Sequence, residues 1–173
     1  MVRYMLCEFD CNVKFRQDPL AIFEEYFTEI MKEKAAPPAI RGILETSLYV
    51  ENLDRSCKFY QKLFDMEILY SNEKCRALNV AGNQVLLLFK KGESLTPITT
   101  PGGVIPPSEG GGHLHLAFAI AEQDIERWIY KLDDAGVKIE SKVDWKQGGQ
   151  SLYFRDPDEH LIELISPGCW SIY

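Results

Sequence analysis

Two stretches of eight residues decide the fold: ILETSLYV at residues 43–50 and HLHLAFAI at residues 113–120. In each stretch apolar side chains alternate with polar or small ones, which is typical of a strand with one buried face. A shift of 70 residues superimposes the apolar positions of the first stretch on those of the second. The sequence therefore contains an internal repeat.

The segments after each stretch repeat in the same order. After residues 43–50, Asn52 can cap a helix, and EILYS, RALNV and QVLLLFK then have strand composition. After residues 113–120 a helix is predicted over about 122–134, followed by the strands VKIESKV, QSLYFRD and HLIELIS. The predicted fold is α+β, with two tandem β-α-β-β-β modules at about 42–90 and 113–166.

Residues 1–38 lie outside the repeat and contain one predicted helix. Asp18 followed by Pro19 is a favourable helix start, and the paired prolines at 37 and 38 end the pattern. A helix over about 18–34 carries one apolar stripe, formed by Leu20, Phe23, Phe27, Ile30 and Met31. We expect an N-terminal extension over 1–38, whose stripe packs on the outside of the 39–173 domain or on a partner chain.

A connector of twenty residues, ESLTPITTPGGVIPPSEGGG at 93–112, separates the two modules. A structureless connection of this length is uncommon within a compact domain unless it has a function. Two interpretations stay open at this stage, a cover over a site and a flexible linker.

Composition and charge exclude several classes of protein. The chain has 173 residues, is 46% hydrophobic and carries a net charge of −7, so it resembles a globular protein without a basic surface for nucleic acid. Its apolar runs are far shorter than the ~20 residues that span a bilayer, so a membrane protein is not expected. The N-terminus lacks the apolar region of a signal peptide, which favours a cytoplasmic location.

Three ionisable residues occupy corresponding strands of the repeat. Glu45 and His115 are at the same position of the first strand of each module, and Glu163 is in the last strand of the second. A carboxylate between apolar neighbours loses hydration, which a metal ion can offset, and one imidazole with two carboxylates suits Mn²⁺, Fe²⁺, Ni²⁺ or Zn²⁺. The alternative is a half-exposed sheet whose polar residues face water.

The order of these motifs resembles the vicinal oxygen chelate superfamily of glyoxalases, extradiol dioxygenases, fosfomycin-modifying thiol transferases and bleomycin resistance proteins. The segments that carry the resemblance are ILETSLYVENLDRSCKFYQKLF, HLHLAFAI and GGQSLYFRDPDEHLIELISPGCW, and it covers about residues 39–173. It implies paired modules that form a U-shaped mixed sheet around a cavity, often in a homodimer.

The resemblance also implies roles for individual residues. One divalent ion would be bound by Glu45, His115 and Glu163, with Glu45 or Glu163 also acting as a catalytic base. A fourth ligand found in some glyoxalases falls on Leu87, which argues against a typical glyoxalase. Ser151 and Tyr153 occupy the places of the hydroxyl residues that touch substrate in the fosfomycin-modifying members. The other candidates for substrate binding in the cavity are Ser47, Tyr49, Phe89 and Trp145, although these and Tyr153 could equally be packing residues. His113 is a further candidate, as a cavity wall, an extra ligand or a proton carrier.

Two further departures bear on the substrate and on the turn after the strand QSLYFRD. The tail SPGCWSIY lacks the cations that fosfomycin-modifying members place beyond the last ligand, which argues against a phosphonate substrate. Glu159 stands where the family has a glycine, so we expect a turn that survives at a small cost.

These observations predict a metal-dependent enzyme, of lyase, isomerase or dioxygenase type, that chelates the vicinal oxygens of a small organic molecule. The alternative is a metal-free homodimer that binds a drug-like molecule, as bleomycin resistance proteins do, and the charge of −7 suits a cationic ligand in that case. A third possibility, a partner-docking module, rests only on the N-terminal helix.

Overall fold

The computed structural model of the protein describes residues 19–35 and 37–173. The chain divides into two compact units, Met1–Gly42 and Ile43–Tyr173. Within the residues described, no helix combines the length and the apolar character needed to cross a membrane.

The first unit contains helix α1, Pro19–Ala35. Its bounds confirm the predicted helix to within one residue at each end. Leu20, Phe23 and Phe27 of the predicted stripe are exposed and Ile30 is half-buried. The Asp18 cap and the Met31 side chain lie outside the described residues, and the expected packing of the stripe stays a prediction.

The first module of the second unit confirms the predicted β-α-β-β-β order. Its elements are strand β1 at Glu45–Val50, helix α2 at Leu53–Phe64, and strands β2 at Ile68–Ser71, β3 at Cys75–Val80 and β4 at Gln84–Lys90. Asn52 caps α2 as predicted, since its side-chain oxygen accepts a hydrogen bond from the Arg55 N–H at 3.0 Å. The sheet order is β1-β4-β3-β2, with β1 parallel to β4 and the other pairs antiparallel.

The connector folds into an ordered loop that contains a short hairpin, β5 at Ile98–Thr100 and β6 at Gly103–Ile105. Glu109 closes the base of the loop, because its carboxylate accepts hydrogen bonds from the Gly92 N–H at 3.2 Å and the Ser94 hydroxyl at 2.8 Å. The loop lies against β1, where the Tyr49 hydroxyl donates to the Ser108 carbonyl at 3.1 Å. The connector therefore contains regular structure and is hydrogen-bonded to β1, and its role as a cover over a site stays a prediction.

The second module repeats the topology of the first. Its elements are strand β7 at His115–Ala119, a 3₁₀ turn at Glu122–Asp124, helix α3 at Ile125–Asp134, and strands β8 at Ser141–Asp144, β9 at Gln150–Arg155 and β10 at Leu161–Ile165. The sheet order is β7-β10-β9-β8, with β7 parallel to β10. The predicted strand VKIESKV begins only at Ser141, because the Val137 N–H bonds back to the Leu132 carbonyl at the end of α3. The α+β class and the paired modules are confirmed.

Both sheets bury one face in a shared core and turn the other face away from it. The core cluster contains Leu48 and Leu88 of the first sheet and Phe154 and Ile162 of the second, all at most 2% exposed. Because side chains alternate along a strand, Glu45 and Ser47 lie on the opposite face of the first sheet. His115 and Glu163 lie on the corresponding face of the second sheet. The polar faces that the sequence predicts are therefore the faces turned away from the core.

Candidate metal centre

His115 and Glu163 meet on the outward face of the second sheet. Their strands β7 and β10 are parallel neighbours, and the Cα partner of Glu163 is Ala117, two residues after His115. The His115 Nε2 atom lies 3.1 Å from the Glu163 Oε2 atom, with the histidine half exposed and the carboxylate side chain 7% exposed. Two of the three predicted ligands are thus brought together in one copy of the chain.

The tautomer of His115 follows from its other nitrogen. Nδ1 lies 3.1 Å from the Leu161 carbonyl oxygen, which can only accept, so Nδ1 carries the hydrogen. In the neutral imidazole Nε2 then presents a lone pair toward a carboxylate oxygen. Two electron pairs face each other at 3.1 Å, and a cation between them or a proton on Nε2 relieves the repulsion.

The Glu163 carboxylate has a second unmet requirement. Among buried side-chain oxygens and nitrogens of the described residues, its Oε1 atom is the one without a hydrogen-bond partner. Leaving a buried charged acceptor unsatisfied costs more than the 1–3 kcal/mol typical of a neutral group. A divalent ion would use this oxygen and the Nε2 lone pair together. The Nε2 atom lies 3.1 Å from Oε2, the other oxygen of the same carboxylate, which is close to the spacing of about 3 Å expected between adjacent ligands of one ion.

Tyr153 lies beside this pair on β9. Its Cα is paired with that of Glu163, and its ring centroid is 6.4 Å from that of His115. Burial raises the pKa of Tyr153, and the neighbouring Glu163 carboxylate raises it further. The phenol therefore stays protonated at neutral pH and can donate a hydrogen bond at this face.

Ser151 and Trp145, both predicted to bind substrate, are bonded to each other. The Trp145 indole N–H donates to the Ser151 hydroxyl oxygen at 2.8 Å, and Ser151 is fully buried. Ser151 lies two residues before Tyr153 on the same face of β9 and is closed to solvent in this structure. Its role in substrate binding stays a prediction.

Glu45 is exposed at the start of β1 and lines a cavity of about 200 Å³ whose lining includes Leu116 and Ala117 of β7 but neither His115 nor Glu163. Over residues 19–35 and 37–173 no cluster of three His, Cys, Asp or Glu side chains is close enough to hold an ion. One copy of the chain therefore supplies the His115–Glu163 pair without Glu45, whose role as a ligand stays a prediction.

The remaining predicted cavity residues are divided between the two modules. Tyr49 is 6% exposed because its ring stacks on Phe89, with centroids 5.7 Å apart, and lies under Gly110 of the connector. Ser47 is half-buried on the same face, and His113 is exposed just before β7. The structure thus covers the Tyr49 ring with protein and leaves His113 open.

A buried polar turn at residues 156–160 joins the modules, and the sequence reasoning assigned it no role beyond its backbone. The Asp158 carboxylate accepts hydrogen bonds from the Glu51 N–H at 2.8 Å and from Arg55 at 2.9 Å. His160 bonds to both modules and is fully buried. Two aspartates and a histidine within an otherwise apolar pattern are the signal that could have identified this turn.

The chain belongs to the glyoxalase/bleomycin resistance protein/dioxygenase superfamily, whose family model matches residues 42–164. This match covers both modules and the candidate metal centre. It confirms the resemblance that the motif order predicts.

Curated relatives and solved structures extend the match. Metallothiol transferase FosB of Bacillus licheniformis is 30% identical over 126 residues, which is 72% of this chain and 75% of FosB. The crystal structure of lactoylglutathione lyase from Agrobacterium tumefaciens has a TM-score of 0.71 at 26% identity, covering 78% of this chain and 99% of that one. Fosfomycin resistance protein FosX from Listeria monocytogenes, complexed with Mn(II) and sulfate, has a TM-score of 0.56 at 26% identity, covering 74% and 91%.

Proposed function

We propose that this protein is a divalent-metal-dependent enzyme that acts on a small organic molecule through two neighbouring oxygen atoms. The observation that carries the proposal is the His115–Glu163 pair, in which a lone pair on Nε2 faces a carboxylate whose second oxygen is buried without a partner. Mn(II) in the related FosX structure supports an ion of this kind. When bound, such an ion polarises the substrate oxygens and stabilises negative charge that develops on them.

The side chains around the pair can position a substrate and move a proton. Tyr153 is a protonated phenol at neutral pH and donates a hydrogen bond to an oxygen at this face. Glu45 is an exposed carboxylate, so it can accept a proton from substrate, which is the role of a general base. The Leu161 carbonyl keeps His115 in the tautomer that leaves Nε2 free for the ion.

We propose further that the site is completed in a homodimer, with Glu45 of one copy joining His115 and Glu163 of the other. The site faces of both sheets are turned away from the shared core, so a second copy can approach them. Ile43 and Leu44, which precede Glu45, are 76% and 67% exposed, as expected of apolar residues that a partner covers. A two-fold dimer would contain two such sites.

The charged residues near the site indicate how much negative charge a substrate of this class can carry. Arg155 shares the site face of β9, but its guanidinium bonds to the Glu140 carboxylate at 3.2 Å and to the Glu159 carbonyl at 3.0 Å. The segment 166–173 contains no lysine or arginine. These features favour a substrate with little anionic charge, such as a thiol adduct of a 2-oxoaldehyde or a catechol. An activity screen of such substrates should also include fosfomycin, with and without added thiol, because of the FosB and FosX relatives.

Calorimetric titration of the metal-free protein with Mn²⁺, Ni²⁺ and Zn²⁺ tests the proposal. We expect one ion per chain in the wild type and a loss of tight binding in His115→Ala. Glu163→Gln keeps the volume and removes the charge, and we expect at least a tenfold weaker affinity. His113→Ala is the matched control, because it removes an exposed histidine two residues away and should leave the affinity unchanged. Equal binding by the wild type and His115→Ala would contradict the proposal.

A metal-free binding protein is the second candidate, favoured by the lack of a three-ligand cluster in one described chain. In that case a proton on His115 Nε2 forms an ion pair with Glu163, and the face binds a ligand without chemistry. The same titration separates the two, because a binding protein would take up none of the three ions.

Cysteine chemistry supports a cytoplasmic location as part of the proposal. Cys57, Cys75 and Cys169, the cysteines of the described segments, are free thiols. Free thiols are typical of a reducing compartment.

A further inference from the structure

His160 joins the two modules at the point where the candidate metal centre begins. Its side chain is fully buried at the end of the turn 156–160, directly before β10. Nδ1 lies 3.1 Å from the Leu114 backbone nitrogen, and Nε2 lies 3.0 Å from the Tyr49 carbonyl oxygen. One imidazole therefore contacts the last part of β1 and the residue that precedes β7.

The two bonds determine the state of the ring. A backbone N–H can only donate and a carbonyl oxygen can only accept, so Nδ1 is the acceptor and Nε2 carries the hydrogen. This neutral tautomer is the opposite of that of His115, whose Nδ1 donates to Leu161. Both ring nitrogens of His160 are satisfied, so the ring has one orientation.

The bond to Leu114 acts on the neighbouring ligand. Leu114 is held on both sides, because its N–H donates to His160 and its carbonyl accepts from the Leu161 N–H at 2.8 Å. His115 follows directly, and its Nδ1–H donates to the carbonyl of the same Leu161. The start of β7 is thus fixed by three hydrogen bonds to residues 160 and 161.

His160 is itself fixed by the turn. The Asp156 carboxylate accepts the His160 N–H at 2.9 Å, and the His160 carbonyl accepts the Asp156 N–H at 3.1 Å. Asp156 also accepts the Tyr60 hydroxyl of α2 at 2.8 Å. Asp156, which holds the backbone of His160, is therefore also hydrogen-bonded to the first module.

We infer that His160 is a positioning residue for the metal centre: through Leu114 it places His115, and through Tyr49 it ties that strand to the first module. The inference rests on the proposed metal site. His160 would act without contacting the ion or the substrate. Its two ring nitrogens make different hydrogen bonds, and the effect of each bond can be tested separately. The Leu114 bond acts on the site, whereas the Tyr49 bond acts on the joint between modules.

Two substitutions separate these tasks. In His160→Asn the side-chain oxygen takes the place of Nδ1 and can accept from the Leu114 N–H, but the side chain no longer reaches Tyr49. In His160→Gln the amide nitrogen takes the place of Nε2 and can donate to the Tyr49 carbonyl, but the Leu114 N–H loses its acceptor. Each variant removes one hydrogen bond, so we expect comparable losses of thermal stability.

Metal affinity, measured by calorimetry with Mn²⁺ and Zn²⁺, gives the decisive comparison. We expect His160→Asn to bind within about threefold of the wild type and His160→Gln to bind at least tenfold more weakly. Phe154→Leu is the control, because Phe154 is as buried as His160 and lies on β9, where its Cα partner is Ile162 of β10. It should lower stability and leave affinity unchanged. Equal affinities of the two His160 variants would overturn the inference.

The wild-type protein supplies a test that needs neither variant nor metal. Nitrogen-15 NMR should show the Nε2–H tautomer at His160, the Nδ1–H tautomer at His115, and a slowly exchanging Leu114 amide. A fast-exchanging Leu114 amide or the Nδ1–H tautomer at His160 would contradict the inference. Absence of metal binding in the wild type would refute the proposed function and with it the role of His160 at a metal centre, whereas the NMR result would still decide whether His160 holds Leu114 and Tyr49 by these two hydrogen bonds.

Discussion

Replacing Asp158 by alanine should destabilise the second unit strongly, because this one carboxylate binds three donors of the first module. Its side chain is fully buried and accepts hydrogen bonds from the Glu51 N–H, the Arg55 guanidinium and the Ser56 hydroxyl. Hydrogen bonds to a charged group contribute about 1.5–3 kcal/mol each. Arg55 is half exposed, so its ion pair adds at most about 1 kcal/mol. Removing the carboxylate also removes its desolvation penalty, so the net loss should be about 3 kcal/mol.

Urea denaturation followed by tryptophan fluorescence and circular dichroism measures this loss. Asp158→Ala should lower the denaturation midpoint without changing the slope, since the surface exposed on unfolding stays the same. Asp158→Asn keeps one acceptor and should lose about half as much. Arg55→Ala is the control and should lose at most about 1 kcal/mol. A loss below about 1 kcal/mol for Asp158→Ala, or an equal loss for Arg55→Ala, would refute the reasoning.

Two further predictions concern buried contacts. Burial and the Asp156 carboxylate hold the pKa of Tyr60 well above its ordinary value; the stability that the neutral phenol contributes is complete below about pH 10 and is lost above it. Tyr60→Phe should therefore cost about 1–3 kcal/mol at neutral pH and reduce the alkaline loss, as urea titrations at several pH values would show. A Cβ on Gly110 would lie 2.6 Å from two ring atoms of Tyr49, so Gly110→Ala should lower the melting temperature, corresponding to about 1–3 kcal/mol. Gly111→Ala is the control and should leave the melting temperature unchanged, because its Cβ would have no heavy atom within 4 Å. Equal melting temperatures of the two variants would contradict the tight fit of Gly110 against Tyr49.

The repeat was predictable because local patterns determine it. Alternation along β1 and β7 identifies which face is buried, and Asn52 caps α2 as its sequence position indicates. Glu159 occupies the glycine position of its turn with φ of 65°, as expected of a turn that survives the substitution. These features depend on residues that are close in sequence.

Features that depend on distant contacts were not predictable in the same way. The sequence does not distinguish a cover from a linker in the connector, because the hydrogen bonds that order it join Glu109 to Gly92 and Ser94, which lie 17 and 15 residues away. Alternation also places Ser151 and Tyr153 on one face of β9. It does not show that the Trp145 indole N–H donates a hydrogen bond to the Ser151 hydroxyl oxygen.

For the candidate site, the alternation along each strand shows on which face of the sheet a side chain lies, but not how far apart side chains of different strands are. It identified His115 and Glu163, which the structure brings within 3.1 Å. It could not show that Glu45 of the same copy lines a cavity that includes neither His115 nor Glu163, because strand patterns contain no information on how two sheets pack. One copy of the chain therefore brings together two of the three predicted ligands, and the role of Glu45 stays a prediction.

Mixing two inactive variants tests the central claim, a metal site shared between two copies, most directly. Glu45→Ala and His115→Ala homodimers should each lack both sites. In a mixed dimer, Glu45 of one copy meets His115 and Glu163 of the other at one of the two sites. After unfolding and refolding of an equal mixture, half of the dimers are mixed, so about a quarter of the sites should bind Mn²⁺ with wild-type affinity. Metal binding no greater than that of the separately refolded variants would contradict the shared site.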